Sequence, residues 1–252
     1  MEVLTLPEGE LFDSMESDGI VVMTPIGPGE QPFLSETISS VVDSFHSSGM
    51  DLTWILCGGY GVKPVDDTFS HHGIEVEHIR VGAQAQWGKV TMVDNTFGCP
   101  PGVGRNMVAT SAPDGSWLMN MDADDIMLPS RVDMVSQCDG DIMYHMCSAS
   151  DLLPDGSIVE YPTESGILDM GWRQDRSDIH FTTLSIRREI LLAVGGYPGV
   201  VCCEDTLLCD KLSTLPVVGK VDSGVGCLYR KSHGTNVTMQ DYDASSIFKV
   251  WG

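Results

Sequence analysis

The chain has 252 residues, enough for one large domain or two small ones around a sizeable core. Its 42% hydrophobic and 20% charged content is that of an ordinary globular protein, and no apolar run approaches the ~20 residues of a membrane span. A net charge of −22, from 36 acidic against 14 basic side chains, argues against bulk binding to nucleic acid, which depends on Lys and Arg neutralising phosphates. A local basic groove stays open, and surface acidity also serves solubility.

The first 18 residues are acidic and polar, lack the basic and apolar regions of a signal peptide, and read as a loosely tied extension. Without a leader or a span, the expected location is cytoplasmic. Eight cysteines, at 57, 99, 138, 147, 202, 203, 209 and 227, form no CxxC pair and no zinc spacing. In a reducing compartment they are expected as free thiols that fill the core. Asn236-Val237-Thr238 matches a glycosylation acceptor pattern, which without a secretion signal reads as chance.

Residues 19–24, GIVVMT, form a first buried strand, closed by Pro25 and the turn-rich IGPGEQP. An amphipathic helix follows, because Phe33, Leu34, Ile38, Val41, Val42 and Phe45 make one apolar stripe that Gly49 ends. Residues 52–57, LTWILC, are a second strand, and 74–81 hold a third, shorter one. The loop Gly98-Cys99-Pro100-Pro101-Gly102-Val103-Gly104 opens onto a helix beginning near Arg105-Asn106. Glycines ahead of a helix let backbone N–H groups approach a phosphate, although Gly and Pro also merely punctuate loops. The next strand starts at Trp117. Strand, helix, strand, strand, helix, strand argues for an α/β domain with a largely parallel sheet.

The stretch WLMNMDADD, residues 117–125, organises the chain. Its apolar part reads as a strand buried on both faces, so Asp122, Asp124 and Asp125 follow at the carboxyl end, where open α/β sheets bind ligands. Three carboxylates in four residues repel one another, and a hard cation such as Mg²⁺ or Mn²⁺ sharing its shell with substrate phosphates would relieve this. The plainer alternative is a solvated acidic turn. Beyond it, 129–137 suits a short helix and 141–147 a strand. Pro154-Asp155-Gly156 turns the chain into a ribbon spanning 144–161. Residues 165–178, with Trp172 and Arg173, read as an acceptor loop or a plain connection. Residues 181–186 look strand-like, and 187–194 helical with Gly195-Gly196 as the stop. Glu204-Asp205 head a helix to about Leu212, and 225–229 make a last strand before Arg230-Lys231-Ser232-His233.

The glycine loop with Arg105-Asn106, the DADD run, Glu204-Asp205 and His233 follow one another in an order that resembles the inverting family-2 glycosyltransferases of GT-A fold. GVGRNMVATSAPDGSWLMNMDADDIMLPSR resembles their glycine loop, Arg-Asn helix and DXD strand. FTTLSIRREILLAVGGYPGVVCCEDTLLCDKL resembles their second block, and LYRKSH their C-terminal His region. The resemblance runs from Ile20 to His233. It implies a GT-A fold: a single Rossmann-like domain over 19–235 with a mostly parallel central sheet and a small antiparallel ribbon, between the extension 1–18 and a tail 236–252.

The resemblance also implies transfer of a sugar from a nucleotide-diphosphate donor to an acceptor hydroxyl, with Mn²⁺ or Mg²⁺. In that scheme Asp205 is the base and Glu204 shapes the acceptor side. Asp122, Arg105, Asn106, Gly104 and Pro25 line the donor, with Arg105 paired either to the donor or to an aspartate of the DXD strand. Asp124 and His233 hold the metal, and Asp125 orients that shell or caps the next turn. A helix N-terminus also favours acids through its dipole, which is compatible with the role of Glu204-Asp205. Many family members carry an Asp pair after the second strand, where this chain has Cys57-Gly58-Gly59; this leaves the nucleobase open. Asp66 and Asp67 lie too far downstream to replace it. The acceptor stays open among a protein, a modified base and a glycan. The competing readings are a metal-dependent phosphatase or phosphotransferase, and a nucleotide-sugar-binding protein without turnover.

Overall fold

The computed structural model describes residues 19–26, 32–58, 79–80, 83–87, 90–94, 101–138, 140–161, 165–168, 181–199, 204–212, 215–216 and 218–231. The expected extension 1–18, Gly98 to Pro100, Trp172 and Arg173, Cys202-Cys203, His233 and the tail 236–252 lie outside the described residues.

Strand β1 (Ile20–Ile26) leads to helix α1 (Leu34–Ser48) and to β2 (Thr53–Gly58), which pairs with β1 in parallel. The expected apolar stripe of α1 is buried at Leu34, Ile38, Val41 and Phe45, and Gly49 ends the helix in the left-handed region at φ 66°. A meander follows: β3 (Ile79–Arg80), β4 (Ala83–Trp87) and β5 (Val90–Asp94), the last parallel to β2. Of the one strand expected here, at 74–81, residues 79–80 are β3 and the others lie outside the described residues. AQAQW, with no β-branched residue, carries little strand propensity, and its pairing with β5 overrides that.

Helix α2 (Pro101–Ser111) and β6 (Trp117–Asn120) come next. The helix starts at Pro101, where a missing N–H costs nothing, and not near Arg105-Asn106. Gly102, Gly104, Arg105 and Asn106 are therefore helical residues rather than a loop ahead of a helix. After β6 come β7 (Ile126–Met127), α3 (Pro129–Ser136), β8 (Ile142–Leu152), β9 (Ile158–Val159) and β10 (Gly166–Leu168). Residues Phe181–Thr183, expected as strand, form a 3-10 turn ahead of β11 (Ser185–Arg187). Then follow α4 (Arg188–Ala193), α5 (Glu204–Leu212) and a long β12 (Val218–Arg230).

The described strands form one sheet in the order β10-β12-β8-β11-β6-β1-β2-β5-β4-β3, with β7 on β12 and β9 on β8. The central strands β6, β1, β2 and β5 are parallel, and β8 with β12 forms a second parallel pair across the short antiparallel β11. The ribbon expected over 144–161 is the antiparallel pair β8–β9. Ile20 and Val22 pack with α1 and α3 on one face, while Val21 and Met23 pack with α2 and α5 on the other. Burial on both faces explains why these strands read as continuous apolar runs. From β1 the chain goes through α1 to β2 on one side, and α2 delivers β6 to the other. This reversal beside β1 opens a crevice at the carboxyl ends of β1 and β6. The five described cysteines, 57, 138, 147, 209 and 227, are buried thiols. Among the described residues no helix is long and apolar enough to cross a membrane.

His145 on β8 is fully buried, with Nε2 3.0 Å from Asp222 Oδ2 on β12, and Lys220 Nζ lies 2.8 Å from the same oxygen. Burial holds its imidazole down at about 4, against the pull of Asp222. The unfolded chain takes up this proton near pH ~6.5, so the stability it confers is complete above that value and is lost as pH falls towards about 4. The difference corresponds to about 3 kcal/mol. His145→Gln cannot titrate, so in urea unfolding the gap between wild type and variant should narrow by most of that amount between neutral and mildly acidic pH. A gap independent of pH would mean that His145 takes up its proton in the native fold at the same pH as in the unfolded chain.

Candidate active site

The acidic run forms the turn that leaves β6 in the crevice. Met121 N–H bonds to Met23 O of β1 at 3.0 Å, so the turn starts from a fixed point. Asp122 is partly exposed, whereas Asp124 is 7% and Asp125 0% exposed. Asp125 points inward: its Oδ1 accepts from Arg230 N–H at 2.9 Å, and Cys227 Sγ lies 4.0 Å from Oδ2. Burial, with Asp124 and Asp122 close by, pushes the Asp125 carboxyl well up.

Arg105 joins this turn to the second acidic group. It is 5% exposed; Nη2 lies 2.6 Å from Asp122 Oδ1 and Nη1 2.8 Å from Glu204 Oε1. Of the two partners expected for Arg105, the structure gives the aspartate and adds Glu204. Burial alone would lower the guanidinium, but Asp122, Tyr197 and Glu204 hold it above its ordinary value. Its Cζ also sits 5.4 Å from the centre of the Tyr197 ring. Burial pushes Glu204 up, and Arg105 pulls it back. Asp205, the next residue, is half-buried, and its Oδ1 accepts from Thr206 N–H at 2.5 Å.

The glycine segment holds α2 close to its neighbours. A Cβ on Gly102 would lie 2.8 Å from Tyr197 Cβ and 2.9 Å from Pro198 O, so only glycine lets helix and turn approach. Buried Gly104 accepts from Cys57 Sγ at 3.5 Å. Cys57 thus packs against α2 at the strand end where the resemblance looked for an acid. The Asn106 amide is committed to the backbone of Tyr197: Nδ2 donates to its carbonyl at 2.8 Å, and Oδ1 accepts its N–H at 2.7 Å. A Cβ on Gly196, at φ 70°, would lie 2.4 Å from Asn106 Oδ1. Pro25 sits near the end of β1, beyond Met23, the last residue paired with β6; its missing N–H removes nothing from that ladder.

Sequence reasoning missed the residues that hold the turn. Thr37 Oγ1 of α1 lies 2.9 Å from Ala123 O and 2.8 Å from Asp125 O, donating to one or the other. Ser40 Oγ accepts Met127 N–H at 3.0 Å. Thr182, expected within a strand, lies in the 3-10 turn with its hydroxyl 3.4 Å from Asp122 N. Thr37, Ser40 and Ser44 recur at helical spacing beside the apolar stripe; this hydroxyl row in a buried helix face was the available signal.

Among the described residues no three His, Cys, Asp or Glu side chains form a ready metal cage. The chemistry of the turn nevertheless fits a hard divalent cation. Its donors are carboxylate oxygens, and their mutual repulsion at Asp125 is what a cation would relieve. Mg²⁺-like ions take few protein ligands and the rest from water and phosphate, so a full cage is not required.

Removing Arg105 would leave Glu204 buried without its partner. Arg105→Met should therefore lower unfolding stability by about 3–5 kcal/mol, and adding Glu204→Gln should recover a good part of it. Chemical denaturation of the wild type and the two variants checks this; equal losses in the single and double variants would show that the pair contributes nothing beyond packing.

No family model matches the chain, and no curated protein sequence matches it significantly. Solved structures do resemble it. TarS of S. aureus, in complex with UDP-GlcNAc, superposes with a TM-score of 0.64 at 11% identity, over 92% of this chain and 64% of that one. The mannosyltransferase PcManGT of Pyrobaculum calidifontis, in complex with GDP-Man and Mn²⁺, gives 0.58 at 13% identity, over 93% and 62%. GalNAc-T7 with UDP, GalNAc and Mn²⁺ gives 0.53 at 13% identity, over 84% and 44%. The chain thus spans less than two thirds of each of these structures. At such identities the likeness establishes the fold, and the fold of this chain is that of the GT-A glycosyltransferases.

Proposed function

We propose that the chain is an inverting glycosyltransferase of family 2 that moves a sugar from a nucleotide-diphosphate donor to an acceptor hydroxyl with the help of Mn²⁺ or Mg²⁺. Residues 19–235 would make up its one domain. The observation that carries this reading is the Arg105 bridge. It gathers the acidic turn after β6 and the acid pair at the head of α5 in one crevice. Two acidic groups meeting at a topological switch point, one for the donor and one for the acceptor, is the arrangement that sugar transfer needs.

In this reading Asp122 contacts the ribose or sugar of the donor, its orientation fixed by Arg105. Gly104, Asn106 and Pro25 support the donor side; Asn106 does so by holding the Tyr197 turn. Asp124 and His233 hold the divalent ion, which when bound stabilises the departing diphosphate as a Lewis acid. Glu204, tied to Arg105, sets the position of α5. Asp205, the freer of the two acids, accepts the proton of the acceptor hydroxyl. As that oxygen bonds to the anomeric carbon, the bond from the carbon to the diphosphate oxygen breaks on the opposite face, which inverts configuration. No protein nucleophile is required.

A base acts in the transition state and leaves donor binding alone. Asp205→Asn should therefore lower sugar release from a panel of UDP- and GDP-sugars by at least ~10²-fold with donor affinity nearly intact. Asp124→Ala should instead lose donor affinity. Single-turnover kinetics paired with donor titration separates the two. Wild-type turnover in Asp205→Asn would put the base elsewhere, and loss of donor binding would move Asp205 to the metal side.

A further inference from the structure

The DADD turn is held on its far side by Arg230, the last residue of β12 and three positions before His233. The Arg230 backbone N–H donates to Asp125 Oδ1, and its Nε donates to Asp124 O at 2.8 Å. Its Nη2 lies 2.5 Å from Glu36 Oε2 in the first turn of α1. Its guanidinium stacks 4.6 Å from the centre of the Phe33 ring. One planar group thus meets a carbonyl of the acidic turn, a carboxylate of α1 and an aromatic face. Only a guanidinium makes all three contacts together.

We propose that Arg230 is a positioning residue, which keeps the Asp124–Asp125 turn in register with the end of β12. This rests on the glycosyltransferase reading for its purpose, though not for its geometry. The β12 ladder fixes the chain up to Arg230, and the Arg230 side chain carries that register across to the Asp124 carbonyl. Outer partners of metal ligands act this way: they orient the ligand without touching the ion. The side chain borders a cleft of about 410 Å³ that it shares with Phe33, Glu36 and Leu152, so truncation opens a space reachable by solvent and the fold should survive it.

The test compares Arg230→Ala with Arg188→Ala. Arg188 is as buried as Arg230, 16% against 15% side-chain exposure, and likewise joins a carbonyl, Ala109 O, to a carboxylate, Asp114, but away from the site. Hydrogen exchange at the amides of residues 122–127 and 230 should quicken in Arg230→Ala and not in Arg188→Ala. Calorimetric affinity for Mn²⁺ in the presence of UDP or GDP should fall by about 10–100-fold in Arg230→Ala, be partly restored in Arg230→Lys, and stay unchanged in Arg188→Ala. Unchanged exchange at the turn, or Mn²⁺ affinity equal to wild type, overturns the proposal. Wild-type protein that binds no Mn²⁺ with either nucleotide sinks the glycosyltransferase reading instead, and the exchange data then decide on the brace alone.

Discussion

A guanidinium buried between two carboxylates fixes the geometry of the crevice. Arg105 cannot be taken out of water unpaired, because an isolated buried charge costs several kcal/mol. It is stable only where Asp122 and Glu204 both reach it. That requirement ties three segments together: α2, which carries the arginine, the turn after β6, and the head of α5. The close approach at Gly102 and the Asn106 clamp on Tyr197 hold α2 against the 196–198 turn, on the same side as Glu204. Partial burial leaves Asp122 facing the crevice, while Glu204 is consumed by the pairing. Within each acidic group the carboxylates thereby differ in burial. Asp125 and Glu204 are buried and hold the structure; Asp122 and Asp205 are less buried, and in the proposed function they are the ones that meet substrate.

The acidic turn itself would repel its own neighbours. It is held from three directions: by the β1 carbonyl at Met23, by the hydroxyl row of α1, and by Arg230 at the end of β12. Each of these comes from an element whose place in the sheet is set independently of the turn. The sheet order supplies the crevice, the helices on its two faces supply the polar groups, and the carboxylates are then set into a frame that precedes them. This is the sense in which the site is preorganised.

How much of this the sequence announced depends on the kind of signal. Apolar runs and the stripe Leu34-Ile38-Val41-Phe45 were legible because burial on both sheet faces leaves little freedom in residue choice. The acidic groups were legible as pairs and triplets. The pairing of Arg105 with an aspartate was within reach, but its second bond to Glu204 was not, since nothing local links residues so distant. Strand β4 was missed because AQAQW is a strand only through its neighbour. The glycine segment misled in the opposite way. Glycines and prolines signal a loop, yet here Pro101 opens a helix and Gly102 serves close packing inside it. Thr37 and Ser40 were visible only as a hydroxyl row at helical spacing; what the row holds appears when α1 is laid against the turn.

The central claim is that the acids gathered by Arg105 form a divalent-cation-dependent site for a nucleoside diphosphate. Isothermal calorimetry of the wild-type protein with UDP and with GDP, each in Mn²⁺ and again in EDTA, tests it most directly. The account predicts binding of at least one nucleotide in Mn²⁺ that is lost in EDTA. Equal affinity in the two conditions, or no binding of either nucleotide in Mn²⁺, would contradict it.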